Sequence, residues 1–303
     1  MNDAFRVAAP AKLNLYLHVV GRRDDGYHLL DSLAAFAAVG DELIFAPASD
    51  LSLVIDGPFA RDLVADDSNL VLRAARALAA DSGRKPAAAI RLTKRLPVAS
   101  GIGGGSADAA AALRGLDRLW GTDLPASRLA RMALDLGADV PVCLAGVASF
   151  FGGIGEEIVL ADPLPPAHLV LVNPGAPLAT AAVFRARAAS PMGNRYSGPD
   201  RWMAALPDAV ALAGMLAKRR NDLTDAAIGL MPEIGDVLAI VEQQPACLIA
   251  RLSGSGTTCF GLFESRGAAR EAASAIAAAQ PAWWVVATNL TTAAAEIVVL
   301  PAS

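Results

Sequence analysis

Apolar and polar positions alternate near the amino terminus in the pattern of a β-strand. Between residues 12 and 20, the leucines at 13, 15 and 17 would share one face, while the polar and aromatic residues at 14, 16 and 18 would share the other. Shorter apolar or alternating runs predict further strands at 41–45, 51–55, 89–96, 168–172, 247–252, 258–263 and 283–287.

Apolar residues spaced three and four positions apart predict helices between the strands. The predicted helices cover residues 69–80, 107–119, 126–136 and 267–279. Asp67 and Ser68 are the N-cap candidates of the first helix, and Gly137 ends the third. Because strands and helices mix in both halves, the sequence predicts an α/β or α+β protein of two lobes.

A glycine-rich apolar segment at 146–155 marks the predicted boundary between the two lobes. The predicted domains are therefore residues 1–155 and residues 156–303. Further along the chain, residues 190–200 are polar and contain proline and glycine, which predicts a mobile loop.

The most informative segment is a glycine-rich run that precedes the second helix. Gly101, Gly103, Gly104 and Gly105 lie within five positions, where a backbone without Cβ atoms allows a ligand to approach closely. A helix that begins here directs its first amides and its positive dipole end toward one place, which suits phosphate. A tight turn that simply leads into a helix fits the same residues.

The run differs from the two commonest phosphate-binding motifs. It lacks the lysine of a Walker A loop, because no lysine occurs between Arg95 and Trp120. It also departs from the dinucleotide fingerprint, since Ser106 occupies the third small position and the preceding strand carries several charged residues. These departures disfavour a nicotinamide-dependent dehydrogenase.

Composition narrows the class of protein. The 303 residues are 54% hydrophobic and 18% charged, which predicts a globular protein with a large core. A net charge of −4 provides no basic field for nucleic acid, and the uncharged apolar stretch 140–155 is too short to span a bilayer. Three cysteines without metal-ligand spacing predict reduced core thiols and no metal site. We therefore expect a cytoplasmic protein without nucleic-acid or membrane partners.

Several short motifs accompany the glycine-rich loop from Pro97 to Ala109. They are Pro10-Ala11-Lys12-Leu13-Asn14, Asp25-Gly26-Tyr27-His28, Gly137-Ala138-Asp139-Val140-Pro141, Asn221-Asp222-Leu223 and Leu252-Ser253-Gly254-Ser255-Gly256. Together these motifs resemble the GHMP small-molecule kinases, a family that includes galactokinase, homoserine kinase and mevalonate kinase. The resemblance extends from about residue 9 to residue 263.

The resemblance implies a fold and a phosphate donor. The amino-terminal lobe would bind nucleotide and be similar to domain 2 of ribosomal protein S5, while the carboxy-terminal lobe would be ferredoxin-like and help to hold the substrate. ATP would supply the phosphate, accompanied by Mg²⁺ with no assigned protein ligand. The implied phosphate-binding residues are Pro97, Ser100, Gly101, Gly103, Gly104, Gly105 and Ser106.

Asp139 and Lys12 are the catalytic residues that the resemblance implies. Phosphoryl transfer needs help for the attacking hydroxyl and neutralisation of phosphate charge. Asp139 would contact the substrate and accept the hydroxyl proton, with the Lys12 ammonium beside it. Taken without the resemblance, Asp139 is equally a helix N-cap, and Lys12 is a solvated lysine at a strand end.

The resemblance also implies a small-molecule substrate that carries cytidine diphosphate. Tyr27 and Phe184 would stack on the two faces of the cytosine, and His28 would hydrogen-bond to its polar edge. Asn14 and Thr180 complete the implied substrate site. Taken alone, Tyr27 fits a packing role and His28 fits a surface imidazole.

Two other functions stay open at this point. One is a GHMP kinase that acts on homoserine or a sugar, against which the Tyr27-His28 pair argues because those substrates offer no base. The other is a nucleotide-binding regulator without catalysis, against which the presence of both Lys12 and Asp139 argues. For the assembly we expect a monomer or a weak homodimer.

Overall fold

The structure, a computed structural model, describes residues 4–188, 205–291 and 297–300. The predicted loop at 190–200 lies outside these residues. The strands are β1 (Phe5–Arg22), β2 (His28–Ala46), β3 (Leu51–Asp56), β4 (Ala88–Thr93), β5 (Ser149–Gly153), β6 (Glu157–Leu160), β7 (His168–Asn173), β8 (Cys247–Leu252), β9 (Cys259–Phe263), β10 (Trp284–Thr291) and β11 (Ile297–Val299).

The helices connect these strands and cover parts of their faces. They are α1 (Leu70–Ser82), α2 (Gly104–Trp120), α3 (Ala126–Leu136), α4 (Val140–Ala145), α5 (Thr180–Ala188), α6 (Ala209–Ala217), α7 (Thr224–Leu230), α8 (Glu233–Glu242) and α9 (Arg266–Ala279). In the described part of the chain, no helix combines the length and apolar character needed to cross a bilayer.

The predicted mixture of strands and helices is confirmed, with corrections at particular elements. The predicted strands at 12–20 and 41–45 are fragments of β1 and β2, which are 18 and 19 residues long. The N-cap of α1 is Asn69, not Asp67 or Ser68, because the Asn69 side chain accepts a hydrogen bond from the Val71 amide at 3.0 Å.

β1 and β2 form a long antiparallel hairpin around which both halves of the chain are built. Its register shifts at three places, and these irregularities bend the ribbon. β2 also pairs with β4, β5 and β10, and β10 continues the sheet through β7, β9 and β8. The hairpin thus belongs to a sheet shared by the amino-terminal and carboxy-terminal halves, as expected for two lobes that meet closely. The division at residue 155 stays a prediction.

Helix α2 is buried against the amino-terminal part of the sheet. Its alanines lie in the core, and Gly115 leaves room for an aromatic ring, since a Cβ there would be only 2.4 Å from the Phe45 ring. Small residues allow the helix and the sheet to approach closely, which explains the alanine-rich sequence. This packing fixes the amino-terminal end of α2 at the cleft between the lobes.

Candidate active site

A cavity of about 1120 Å³ lies between the two halves of the chain. Its walls come from the β1–β2 hairpin, the glycine-rich loop, the start of α4, helix α5 and the turn after β8. All of the residues predicted for the site line it: Lys12, Asn14, Tyr27, His28, Pro97, Ser100, Gly101, Gly103, Gly104, Gly105, Ser106, Asp139, Thr180 and Phe184. The fold therefore brings together side chains that are more than 150 positions apart.

The glycine-rich loop rests against the turn that follows β8. Gly101 has a φ of +76°, and a Cβ on it would lie 2.5 Å from the Ser253 carbonyl oxygen. The Ser253 hydroxyl donates to the Gly101 carbonyl at 3.0 Å, and the Ser100 hydroxyl donates to the Pro97 carbonyl at 2.6 Å. Glycine is thus required at 101 both for the backbone angle and for the contact between lobes.

Helix α2 begins directly at the cavity. Its N-cap is Gly103, with a φ of +63°, and a glycine offers no side chain to accept from the first-turn amides. A Cβ at Gly103 would lie 3.1 Å from Lys12 Cε, so the loop also packs on the lysine stem. The available amides and the positive dipole end of a 17-residue helix are features that suit an anion.

Lys12 is buried and held at both ends. Its amide donates to the Ile102 carbonyl at 2.9 Å, which fastens β1 to the loop. Its ammonium lies 2.9 Å from Asn14 Oδ1 and 3.0 Å from Asp139 Oδ2. Asn14 is itself fixed, because its side-chain amide donates to the Ser32 hydroxyl at 2.9 Å. The ammonium is therefore oriented toward Asp139.

Asp139 occupies the N-cap position of α4, with Pro141 in the first turn of that short helix. Its side chain makes no cap hydrogen bond within the described structure and instead faces Lys12. The Asp139 side chain is 40% exposed, whereas that of Lys12 is 2% exposed. One carboxylate oxygen thus contacts the ammonium while the group stays open to the cavity, as acceptance of a proton requires.

The aromatic residues lie at the hairpin end of the cavity. The rings of His28 and Phe184 are 5.0 Å apart with an interplanar angle of 31°, and Tyr27 is largely exposed. Burial, together with the charges of Arg22 and Arg187, lowers the pKa of His28 below its usual value. At neutral pH the imidazole is therefore uncharged and offers one donor and one acceptor.

Thr180 lies at the start of α5, one helical turn before Phe184. Its hydroxyl is 2.9 Å from the Ser255 hydroxyl, so the helix is attached to the same turn that supports the glycine-rich loop. The Phe184 ring and the Thr180 hydroxyl therefore belong to one rigid element that follows the cavity from its aromatic end toward the loop.

A buried ionic cluster beneath the loop was not predicted from the sequence. The Lys94 ammonium lies 2.5 Å from Asp41 Oδ2 and 2.7 Å from Asp108 Oδ2. Burial and the nearby Asp41 raise the pKa of Asp108 to about 7, against the opposing effect of Lys94. A single acid on the apolar face of an alanine-rich helix was the signal that could have revealed this cluster.

The cluster anchors the loop from below. The second oxygen of Asp41 accepts the amides of Arg95 and Leu96 at 2.6 and 2.9 Å, immediately before the loop begins. A Cβ on Gly104 would lie 3.0 Å from the Lys94 ammonium. The start of the loop and the start of α2 are thus both held by the same three charged side chains.

Comparison with known proteins assigns the class. The family model for the GHMP kinases N terminal domain matches residues 69–147, and that for the GHMP kinases C terminal region matches residues 203–282. A solved homoserine kinase from Cytophaga hutchinsonii shares the fold, with a TM-score of 0.70, 19% identity and coverage of 98% of both chains. The chain belongs to the GHMP kinases and has their two-lobed fold.

More similar relatives narrow the assignment. A protein of Paramagnetospirillum magneticum is 56% identical over 95% of this chain and 99% of its own, and one of Rhodospirillum rubrum is 47% identical over 95% and 93%. Both are named 4-diphosphocytidyl-2-C-methyl-D-erythritol kinase. A crystal structure of 4-(cytidine 5'-diphospho)-2C-methyl-D-erythritol kinase has a TM-score of 0.73, 35% identity and coverage of 94% of this chain and 98% of its own. Within the GHMP kinases, the chain belongs to this group.

Proposed function

We propose that the protein transfers the γ-phosphate of ATP to the 2-hydroxyl of 4-diphosphocytidyl-2-C-methyl-D-erythritol, a step of non-mevalonate isoprenoid precursor synthesis. One observation carries this proposal: a single cavity joins an aromatic end, the Lys12–Asp139 pair and the glycine-rich loop. These three parts correspond to the base, the reacting hydroxyl and the donor phosphates. The relatives described above are named for this kinase, and this chain matches them along nearly their whole length.

The Lys12–Asp139 pair supplies the chemistry at the acceptor. The Asp139 carboxylate accepts the hydroxyl proton as the oxygen attacks phosphorus, a contribution of about 10²–10⁴ in rate for a positioned base. Lys12 holds that carboxylate at 3.0 Å and adds positive charge where the transferred phosphoryl oxygens pass. Asn14 keeps the ammonium in place.

ATP binds with its phosphates at the glycine-rich loop and the start of α2. A Mg²⁺ ion bound with the triphosphate would supply positive charge to offset that of the phosphates. Within the described ranges, no three His, Cys, Asp or Glu side chains converge as a metal site, and we assign the ion no protein ligand. The cytoplasm as location, and a monomer or weak homodimer as assembly, stay predictions.

The direct test is ADP release with different acceptor alcohols. We expect turnover with the cytidylated methylerythritol, and at least a hundredfold lower kcat/KM with bare methylerythritol or with homoserine, because the stacked base supplies binding energy remote from the reacting carbon (roughly 3 kcal/mol or more). Comparable kcat/KM values for all three alcohols would contradict the assignment and leave a GHMP kinase of different specificity.

Tyr27→Ala should raise the KM for the cytidylated substrate, by the equivalent of about 1–3 kcal/mol for one lost aromatic–base stack. The KM for ATP should change little, because the glycine-rich loop is a different part of the cavity. Steady-state kinetics in both substrates tests this, with Tyr27→Phe as the control that keeps the ring. An unchanged KM in the alanine variant would remove Tyr27 from base recognition.

Gly105→Val should weaken ATP and ADP binding together, by roughly tenfold or more (about 1.4 kcal/mol). Among the described residues, a Cβ at Gly105 meets only Leu70 Cδ1, at 3.6 Å, so the side chain fits the fold but occupies space beside the first amides of α2. Calorimetric titration measures the loss of nucleotide affinity, and a melting curve without ligand measures any loss of stability.

Gly214→Val is the matched control for this loop variant. Gly214 lies within α6, where an added Cβ has no neighbour within 4 Å in the described structure. If Gly105→Val folds normally and binds nucleotide as tightly as the unmodified protein does, the phosphates bind elsewhere.

A further inference from the structure

Two arginines line the cavity near its aromatic end with most of their donors available. Arg22 ends β1, and Arg185 follows Phe184 on α5. The Arg22 Nε donates to the Gly26 carbonyl at 3.3 Å, and the Arg185 Nε donates to the Ala181 carbonyl at 3.4 Å. Among residues 4–188, 205–291 and 297–300, no carboxylate oxygen lies within 4.0 Å of either guanidinium.

Arg185 reaches back along its helix toward the reacting end of the cavity. Its bond to the Ala181 carbonyl holds the side chain against the surface of α5, where side chains lean toward the helix start. Thr180, which contacts Ser255, lies beside Ala181 at that start. The charge of Arg185 therefore lies at the cavity wall formed by α5, the helix that also carries the Phe184 ring and the Thr180 hydroxyl.

Arg22 brings a second charge to the same end from the opposite wall. It pairs with His28 in the register of the β1–β2 hairpin, and its charge contributes, after burial, to the lowered pKa of that imidazole. Asp25 of the adjoining turn pairs instead with Arg23, at 2.8 Å. Two walls of the cavity thus each present an arginine beside the aromatic residues.

We propose that Arg22 and Arg185 bind the diphosphate that links the cytidine to the acceptor alcohol. This inference rests on the proposed function, because it assigns residues to one part of that substrate. The linking diphosphate is anionic and must lie between the base and the reacting hydroxyl. A guanidinium matches phosphate oxygens with two parallel N–H donors, and its hydrogen bonds are charge-assisted. The contacts proposed for the cytosine base involve neither arginine, so both remain available for the diphosphate.

The test compares calorimetric binding of CDP and cytidine to the unmodified protein, Arg22→Gln and Arg185→Gln. We expect each variant to lose about tenfold in CDP affinity, as for one charge-assisted contact at a partly solvated site, while cytidine affinity stays constant. For the full substrate, KM should rise by a similar factor and kcat should change less than twofold. Arg185→Lys, which keeps the charge without the planar fork, should restore part of the affinity.

Arg270→Gln, at an exposed position on α9, is the control and should leave both affinities unchanged. Unchanged CDP affinity in Arg22→Gln and Arg185→Gln would overturn the inference. An equal loss for CDP and cytidine would also overturn it, because the arginines would then shape the base site. A selective loss for CDP supports it even should the unmodified protein fail to phosphorylate the cytidylated alcohol, a failure that would overturn only the proposed function.

Discussion

Asp139→Asn should lower kcat by about 10²–10⁴-fold and leave the KM for both substrates within a few-fold. The asparagine keeps the shape of the side chain and an oxygen toward Lys12, but it cannot accept the hydroxyl proton. Because the Asp139 side chain is 40% exposed, the substitution should cost little stability. Single-turnover measurements under saturating ATP isolate the chemical step from product release.

Asp236→Asn provides the matched control for this experiment. Asp236 is an exposed acid in the first turn of α8 and does not line the cavity. It should retain the kcat of the unmodified protein. A normal single-turnover rate in Asp139→Asn would exclude Asp139 as the general base and leave its contact with Lys12 as a structural ion pair.

Lys94→Met should lower the free energy of unfolding by about 3–5 kcal/mol, the usual cost of removing one partner from a buried ionic group. Both carboxylates that contact the ammonium, at 2.5 and 2.7 Å, are themselves buried. Without the ammonium, Asp41 and Asp108 cannot both stay ionised in a site from which water is excluded, so the cluster must take up a proton or keep an uncompensated charge. Urea denaturation with a constant m-value measures the loss.

Asp108→Asn in the Lys94→Met background is the informative second variant. It removes one of the two acids, so the double variant should regain part of the lost stability. The effects of the two substitutions on the free energy of unfolding should therefore be strongly non-additive. Asp41 keeps its bonds to the amides of Arg95 and Leu96 in that variant. A loss below about 1 kcal/mol in Lys94→Met would mean that the cluster contributes no more than a surface ion pair.

Local sequence patterns predicted some elements closely and others only in part. The predicted helix 126–136 has the bounds of α3, because its amphipathic spacing is ended by Gly137. By contrast, only 41–45 of β2 was predicted. Residues 33–37 are buried on both faces of the strand, so the alternation that signals a half-exposed strand is absent.

The residues of the candidate site also differ in how far local sequence patterns predict them. The glycine-rich loop has a local signature, since glycines and a helix start are adjacent in the chain. Lys12 and Asp139 are 127 positions apart, and only the resemblance to a family linked them before the structure placed them 3.0 Å apart. The sequence predicts Lys94 only as a charged residue of the strand 89–96, because the partners that make its burial possible lie 53 and 14 positions away.

The β1–β2 hairpin carries residues from both ends of the acceptor site. Arg22, Tyr27 and His28 lie at its tip, while Lys12 and Asn14 lie further along the same two strands. In the proposed site, the span from base to reacting hydroxyl would therefore be set within one bent ribbon, not by the angle between two lobes. A change in the angle between the lobes would leave this span unchanged, so the proposed site would select acceptors by their length in every lobe arrangement.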